Sequence, residues 1–217
     1  MVSDNAKCVM TPGSSVVEAF ETGAVRDTSG DKPRLELISP VFVLWLDSET
    51  PARGYQGPPG YPLSAGVSAD PQTAVKDWLQ RAWIRLHQFR DTRALVHLRE
   101  VSIYVALAIL VDSGGRVPDE PLRVIPPTVW NRLGNWLRLG ALRYTARNWE
   151  AGIPIDRSMA SLLRHINQYL AGDRSEDHLA AALCNCQFIH HTWVMVDRKV
   201  LPASLNNLPD YYTPRKS

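Results

Sequence analysis

Residues 156–172, DRSMASLLRHINQYLAG, and residues 175–193, SEDHLAAALCNCQFIHHTW, decide the fold of this 217-residue chain. Both stretches repeat apolar residues at the three- and four-residue spacing of a helix with one buried face. We predict that Asp156 caps the first helix and that Gly172 ends it. We predict that Ser175 caps the second helix, which places Glu176 and Asp177 in its first turn, where the helix dipole favours acidic residues.

Working outward, the same spacing predicts three more helices. One follows Thr128 as its cap, one begins at Pro71, and one runs from about residue 94 to residue 111, where Ser-Gly-Gly at 113–115 ends it. Residues 41–46, VFVLWL, fit a buried strand or one helical turn, since so short a run has no decisive period. The first 40 residues hold glycine- and proline-containing stretches and are typical of a structured arm or loop. The predicted fold class is therefore all-α: a helical bundle with an N-terminal arm and a mainly helical insertion.

The composition excludes several classes of protein. A hydrophobic fraction of 45% and a charged fraction of 21% are ordinary for a globular chain and exclude disorder throughout. The longest apolar run, residues 101–111, is shorter than the roughly 20 residues that span a bilayer, and the N-terminus lacks the order of a signal peptide. We therefore expect a soluble, cytoplasmic protein with no membrane partner. The net charge of +2 is much lower than the positive charge that nucleic-acid-binding domains carry, so no nucleic-acid partner is expected.

Cysteine usage points to packing rather than to a disulfide framework or a zinc site. Three cysteines, Cys8, Cys184 and Cys186, cannot all pair, and the Cys-x-Cys spacing lacks the second pair of a structural zinc site. We predict that they are buried thiols.

Two regions have the residue types for binding an anionic ligand. Residues 144–150, YTARNWE, combine two aromatic rings, an arginine, an amide and a carboxylate, which suits base stacking and phosphate binding or, equally, a helix connection with a buried tryptophan. The polar face of the helix at 156–172 carries Arg157, Ser161 and Arg164, with His165 at its margin. Such a face lines an anion site or is simply solvated.

The helix at 175–193 also carries a polar seam. His178, Asn185 and Thr192 repeat along it every seven residues, and Asp177 stacks below Asn185; these side chains need partners if they are buried.

Several short motifs in series resemble one known family. They are TGAVRD at 22–27, KPR at 32–34, LISP at 37–40, GALRY at 140–144, RNWEAG at 147–152, SLLRH at 161–165 and EDHLAAA at 176–182, followed by Asn185. Together with the tail at 200–210, this order of motifs resembles the phage-type dATP/dGTP diphosphohydrolases, which are related to the all-α MazG-like nucleotide pyrophosphohydrolases. The resemblance covers roughly residues 20–40 and 125–211.

The resemblance implies hydrolysis of purine deoxynucleoside triphosphates to monophosphate and pyrophosphate, in the cytoplasm of a bacterial host if the chain is phage-encoded. It implies a divalent metal, commonly Mg²⁺ with Mn²⁺ as the alternative, that polarises the phosphates and activates water. The implied metal ligands or catalytic bases are Glu150, Glu176 and Asp177. The implied phosphate-binding residues are Arg26, Lys32, Arg34, Arg147 and Arg164, with His165 beside them, and Asn148 and Trp149 are implied to hold the base.

The chain departs from the family pattern at two places. Relatives continue from the LISP segment directly into the first core helix, whereas here a segment intervenes, so we divide the chain into an arm at 1–40, an insertion at 41–124, and a core with tail at 125–217. Where relatives read His-Thr-Glu-Glu, this chain has HTWV at 191–194. The alternative function is therefore a non-catalytic descendant that binds nucleotide or a protein. Because so few helices leave apolar faces uncovered, we also predict a homo-oligomer.

Overall fold

The computed structural model describes residues 7–9, 17–19, 25–27, 32–47, 69–116 and 125–209. The chain divides into two compact units, residues 1–32 and residues 33–217. In the first unit the strands β1 (Lys7–Val9), β2 (Val17–Ala19) and β3 (Val25–Asp27) form an antiparallel sheet in that order, with Cys8 opposite Glu18 and Glu18 opposite Arg26. The sequence predicted a structured arm here but no strand, because three-residue strands are too short to show a two-residue period.

The second unit is built from helices, which confirms the predicted all-α class. They are α1 (Pro40–Asp47), α2 (Pro71–Thr92), α3 (Leu95–Asp112), α4 (Pro127–Arg143), α5 (Ile155–Leu170) and α6 (His178–Asp197), with short 3₁₀ turns at Leu35–Leu37, Asn148–Ala151 and Ala203–Leu205. The undecided run at 41–46 is helical. Among the residues described, no helix is both long and apolar enough to cross a membrane.

Two predicted helix caps are wrong because prolines start the helices earlier. Pro126 is the N-cap of α4 and Pro154 that of α5, and neither makes a side-chain capping bond. Thr128 and Asp156 therefore lie inside the first turns. In α5 the backbone N–H of Asp156, one of those that a side-chain cap would satisfy, donates instead to the side-chain oxygen of Asn207 at 3.1 Å.

The cap predicted at Ser175 is also wrong, whereas the glycine stop is confirmed. Asp177 is the N-cap of α6, and its carboxylate accepts a hydrogen bond of 3.0 Å from the Ala180 backbone N–H. Ser175 and Glu176 therefore precede the helix. Gly172 has a φ of +90° just after α5, a conformation that disfavours any residue with a Cβ.

Helix α6 is the central element of the second unit. It packs against α5 and also contacts α1, α3 and α4, while α2 lies along α3. Cys184 and Cys186 are buried in α6, as predicted, and burial raises the pKa of both thiols. The helices of the 41–124 segment thus pack into the same unit as the segment predicted to be the core; the proposed arm, insertion and core boundaries stay a prediction.

A neutral histidine is part of this core. The ring of His190 is 2% exposed and stacks on Trp45 of α1, with ring centroids 4.2 Å apart, and it lies 5.8 Å from the ring of Phe42. Burial lowers the pKa of His190 to about 4, and the neighbouring His191 contributes to this shift. The folded protein therefore excludes a proton that the unfolded chain accepts near pH 6.5.

This difference predicts that His190 contributes to acid destabilisation. As the pH falls from about 6.5 towards 4, the unfolded chain binds the proton first, so the free energy of unfolding falls by up to about 3 kcal/mol. His190→Phe keeps an aromatic ring on Trp45 and removes this proton. Urea unfolding at several pH values should give a flatter pH dependence for the variant; parallel curves for the two proteins would contradict the assignment.

Candidate functional site

A cavity of about 900 Å³ is lined by the C-terminal half of α4, the connection to α5, the middle of α5, Ser175 and Glu176 before α6, Cys184 and Phe188 within α6, and Leu37. Its volume lies near the upper end of ligand pockets, which measure roughly 300–1,000 Å³. Six of the predicted site residues line it: Arg147, Asn148, Trp149, Arg164, His165 and Glu176. The structure therefore brings together residues from three separate sequence motifs.

Three other predicted residues of the second unit do not line the cavity. They are Glu150 and Asp177, which are adjacent to lining residues, and Arg34. Lys32 is exposed, and the guanidinium of Arg34 pairs with the Glu36 carboxylate at 2.6 Å. The backbone of Arg26 lies in β3, and its side chain is outside the described residues.

Helix α6 fixes the connection between α4 and α5 through its polar seam. The Thr192 hydroxyl donates to the Ile153 carbonyl at 3.1 Å and accepts from the Ile153 N–H at 3.3 Å. The ring of His191 lies 3.1 Å from the Glu150 carbonyl. Farther along the seam, Asn185 donates to the Ala181 carbonyl at 2.8 Å. These bonds supply the partners that a buried polar seam requires.

Trp149 adopts the second of the two arrangements that the loop composition left open, a buried ring. It is 4% exposed, stacks with Phe188 at 5.7 Å between ring centroids, and meets the edge of His191 at 4.9 Å. Its Nε1–H is buried and has no hydrogen-bond partner within the described part of the chain. The Trp149 ring is thus a buried part of the connection between α4 and α5, and its Nε1–H lacks a hydrogen-bond partner among the described residues.

Several cavity residues were not predicted from the sequence. Trp136 and Arg143 of α4 line the cavity, and Trp136 meets the edge of the His165 ring at 6.0 Å. Arg143 lies in the GALRY motif at 140–144, for which no role was implied, and Trp136 lies in none of the motifs. Tyr144, at the rim, is 61% exposed.

A compact histidine and carboxylate cluster lies at the α5–α6 junction. His165 Nδ1 is 3.2 Å from His178 Nδ1, and Glu176 Oε1 is 3.3 Å from each of these nitrogens. Both imidazoles are buried, and the Glu176 side chain is 38% exposed. Behind them, the Asp173 carboxylate is 3.2 Å from His178 Nε2, and the Arg164 guanidinium is 3.3 Å from His165 Nε2. Burial lowers the pKa of His165 to about 4, helped by the charges of Arg164 and His178, so its ring is neutral near pH 7.

The three carboxylates implied as magnesium ligands do not converge. Glu150 is paired with Arg147, and Asp177 is engaged by Arg132. In the described ranges, the one group of histidine, cysteine, aspartate or glutamate residues whose ligand atoms all lie within 4.8 Å of one another is His165, Glu176 and His178. Glu150, Glu176 and Asp177 therefore do not form one group of ligand atoms within 4.8 Å of one another, and the implied Mg²⁺ stays a prediction.

Asp177 is held instead by an arginine that joins several helices. Arg132 of α4 donates to both carboxylate oxygens of Asp177 at 2.6 and 2.9 Å and to Asp112 of α3 at 2.7 Å. Burial alone would lower the pKa of Arg132, but the bonds and charges of the two aspartates outweigh it and raise the pKa. Tyr169 of α5 donates to Asp112 at 2.5 Å, and its pKa rises to about 12 through burial and this bond. We call Arg132, Asp112, Asp177 and Tyr169 the arginine clasp.

The position where the family pattern loses its acids is an apolar contact. The ring of Trp193 packs against Phe89 of α2, with centroids 5.5 Å apart at an angle of 60°. Phe89 is fully buried. A carboxylate at position 193 would therefore face a helix of the 41–124 segment.

Comparison with known proteins supports the family resemblance. Residues 114–199, which contain α4, α5, the connection between them and α6, match the family described as dATP/dGTP diphosphohydrolase, N-terminal. The chain is thus similar to this family over the segment that supplies most of the residues lining the cavity. No curated protein and no solved structure matches the chain.

The arginine clasp predicts energetic coupling between Arg132 and Asp177. Arg132→Gln and Asp177→Asn should each lower the free energy of unfolding by about 1–3 kcal/mol, because a charge-assisted hydrogen bond is lost while asparagine still caps α6. The double variant should lose less than the sum, by about 1 kcal/mol, in urea unfolding. As a control, the exposed Arg157→Gln should combine additively with Asp177→Asn. Additivity in the clasp pair would contradict the coupling.

Proposed function

We propose that this chain binds a purine deoxynucleoside triphosphate in the cavity and hydrolyses it to the monophosphate and pyrophosphate. One observation carries the proposal. Six residues that the family resemblance implies for substrate or catalysis, spread over positions 147–176, line a single cavity inside the segment that matches the family. Residues of one helix face would be gathered by local geometry alone, but these come from a connection, a helix and a cap region.

The charge at the cavity suits a polyphosphate. Arg143, Arg147 and Arg164 line it and are exposed, and the acidic lining residue is Glu176. Guanidinium groups present paired donors that match phosphate oxygens, so three of them at one opening favour an anionic ligand. Arg147 now pairs with Glu150, and a phosphate would compete for the same donors.

Other lining residues suit an aromatic base. Trp136, Tyr144, Asn148 and Trp149 also line the cavity, and the buried Nε1–H of Trp149 has no hydrogen-bond partner among the described residues. Purines offer a larger stacking surface than pyrimidines, and ring nitrogens or carbonyl oxygens would accept from these donors. This arrangement supports the purine preference of the proposal.

Glu176 is the residue best placed for chemistry. Its carboxylate is partly exposed at the cavity and contacts two buried imidazoles. A carboxylate in this position can accept a proton from an attacking water and hold that water against a phosphate. Dependence on Mg²⁺ or Mn²⁺ stays part of the proposal, although Glu150, Glu176 and Asp177 do not form its site together.

A second candidate function, nucleotide binding without turnover, is favoured by two contacts. Asp177 is held in the arginine clasp, and Trp193 packs on Phe89 where relatives carry acids. The homo-oligomer also stays a proposal; Leu139 and Leu142, 48% and 75% exposed, are apolar lining residues at the cavity rim that a second copy would cover.

Turnover separates the two candidates. Purified protein with dGTP or dATP and Mg²⁺ or Mn²⁺ should release pyrophosphate and monophosphate, and Glu176→Gln should reduce kcat at least roughly a hundredfold, the lower end for losing a general base. Asp197→Asn, an exposed carboxylate at the end of α6, is the matched control and should retain the rate. Binding of a non-hydrolysable analogue without turnover would establish the second candidate instead.

Nucleotide affinity should depend on Arg147 but not on Lys199, which has the same left-handed backbone conformation. Arg147 and Lys199 both adopt a left-handed φ, 61° and 60°, so glycine at either site relieves backbone strain and should keep stability within about 1 kcal/mol. By calorimetry with a non-hydrolysable dGTP analogue, Arg147→Gly should raise Kd about tenfold through loss of a charged hydrogen bond. Lys199→Gly should leave Kd unchanged. Equal affinities in the two variants would exclude Arg147 from the phosphate site.

A further inference from the structure

We propose that His165, Glu176 and His178 form a binding site for a first-row divalent transition cation of the zinc class. The ligand atoms are the two Nδ1 nitrogens and Glu176 Oε1. They are the one such group in the part of the chain that the structure describes. His178 is not among the site residues that the family resemblance implies.

The distances fit a tetrahedral ion. The three ligand atoms form a nearly equilateral triangle with edges of 3.2, 3.3 and 3.3 Å. An ion with bonds of about 2.0–2.1 Å in tetrahedral geometry has ligand atoms roughly 3.3–3.4 Å apart, so one ion fits above this triangle with little side-chain movement.

The chemistry of the donors selects the class of cation. Two imidazoles and one carboxylate suit zinc, cobalt and their neighbours, whereas Mg²⁺ prefers an all-oxygen set. The three ligands leave a fourth tetrahedral position open, as in catalytic rather than structural zinc sites. Because His165 and Glu176 line the cavity, the site lies in its wall.

The residues around the two histidines affect cation binding differently: Asp173 favours binding by His178, whereas Arg164 must move before His165 can bind. When Nδ1 binds a cation, the ring proton must be on Nε2. At His178 this nitrogen lies 3.2 Å from the Asp173 carboxylate without hydrogen-bond geometry, so a small turn of Asp173 would make it the orienting partner that metal-bound histidines commonly have. At His165 the Nε2 proton would face the Arg164 guanidinium at 3.3 Å, so cation binding requires Arg164 to turn away from the ring.

The link to nucleotide rests on the proposed function, but cation binding does not. A cation here would neutralise Glu176 and release Arg164 at the same wall where phosphates are proposed to bind. We therefore expect the cation and a triphosphate to strengthen each other's binding. Titrating the metal alone tests the site, so it stands or falls separately from nucleotide turnover.

The experiment uses the full chain after treatment with a chelator. Calorimetry with Zn²⁺ should show one ion per chain, and Co²⁺ should give the visible absorption of a tetrahedral nitrogen and oxygen site without a thiolate charge-transfer band. Glu176→Gln, which is partly exposed and should fold, should weaken Zn²⁺ binding at least roughly tenfold, and Asp173→Asn by about tenfold as an outer partner. His87→Gln, a histidine of α2 outside the cluster, should leave binding unchanged. Circular dichroism checks the fold of each variant.

Three results would overturn the proposal. One is the absence of Zn²⁺ binding in the full chain. Another is Zn²⁺ binding that survives Glu176→Gln and His165→Gln, or a thiolate band that assigns the metal to Cys184, which also lines the cavity. The third is loss of binding in Glu150→Gln and Asp177→Asn with retention in Glu176→Gln, which would restore the carboxylate set.

Discussion

The arginine clasp is the interaction on which the rest of the second unit depends. Arg132 joins α4 to the end of α3 through Asp112 and to the start of α6 through Asp177, and Tyr169 adds α5. These contacts set where α6 begins and hence where Glu176 and His178 lie beside His165. Partly buried charges with complete hydrogen bonding are costly to disturb, because removing one partner leaves the others unpaired. The clasp therefore holds the wall of the cavity without contributing a residue to its lining.

Helical periodicity predicted the second unit well, because each long helix carries its own apolar face. The spacing at Met159, Leu162 and Ile166 is a local property, and these residues are buried as expected. The starts of helices were predicted less well, because Pro126, Pro154 and Asp177 competed with plausible cap residues one or two positions away. The three strands near the N-terminus are only three residues long, which is too short to show the two-residue period of a strand.

The sequence predicted several of the residues that line the cavity, but not which side chains contact one another. Motif resemblance identified Arg147, Arg164 and Glu176, which the fold gathers at one cavity. It could not show that Asp177 pairs with Arg132, because the two are 45 positions apart and arginine is common in this chain. His178 was predicted only as part of a polar seam on α6. Its place beside His165 depends on the tight turn at Gly172, whose shape the composition does not reveal.

The packing of α6 shows that the segment that matches the family does not coincide with the folded unit. The segment that matches the family ends at residue 199, yet α6 within it is covered by α1 and α3 from outside that segment, and Trp193 rests on α2. A fragment containing the matched residues alone would expose these apolar surfaces to water and would lose the fixed packing on which side-chain order depends. The segment that matches the family is thus not the segment that folds as a unit. In this chain the boundary of the match runs through one continuous hydrophobic core.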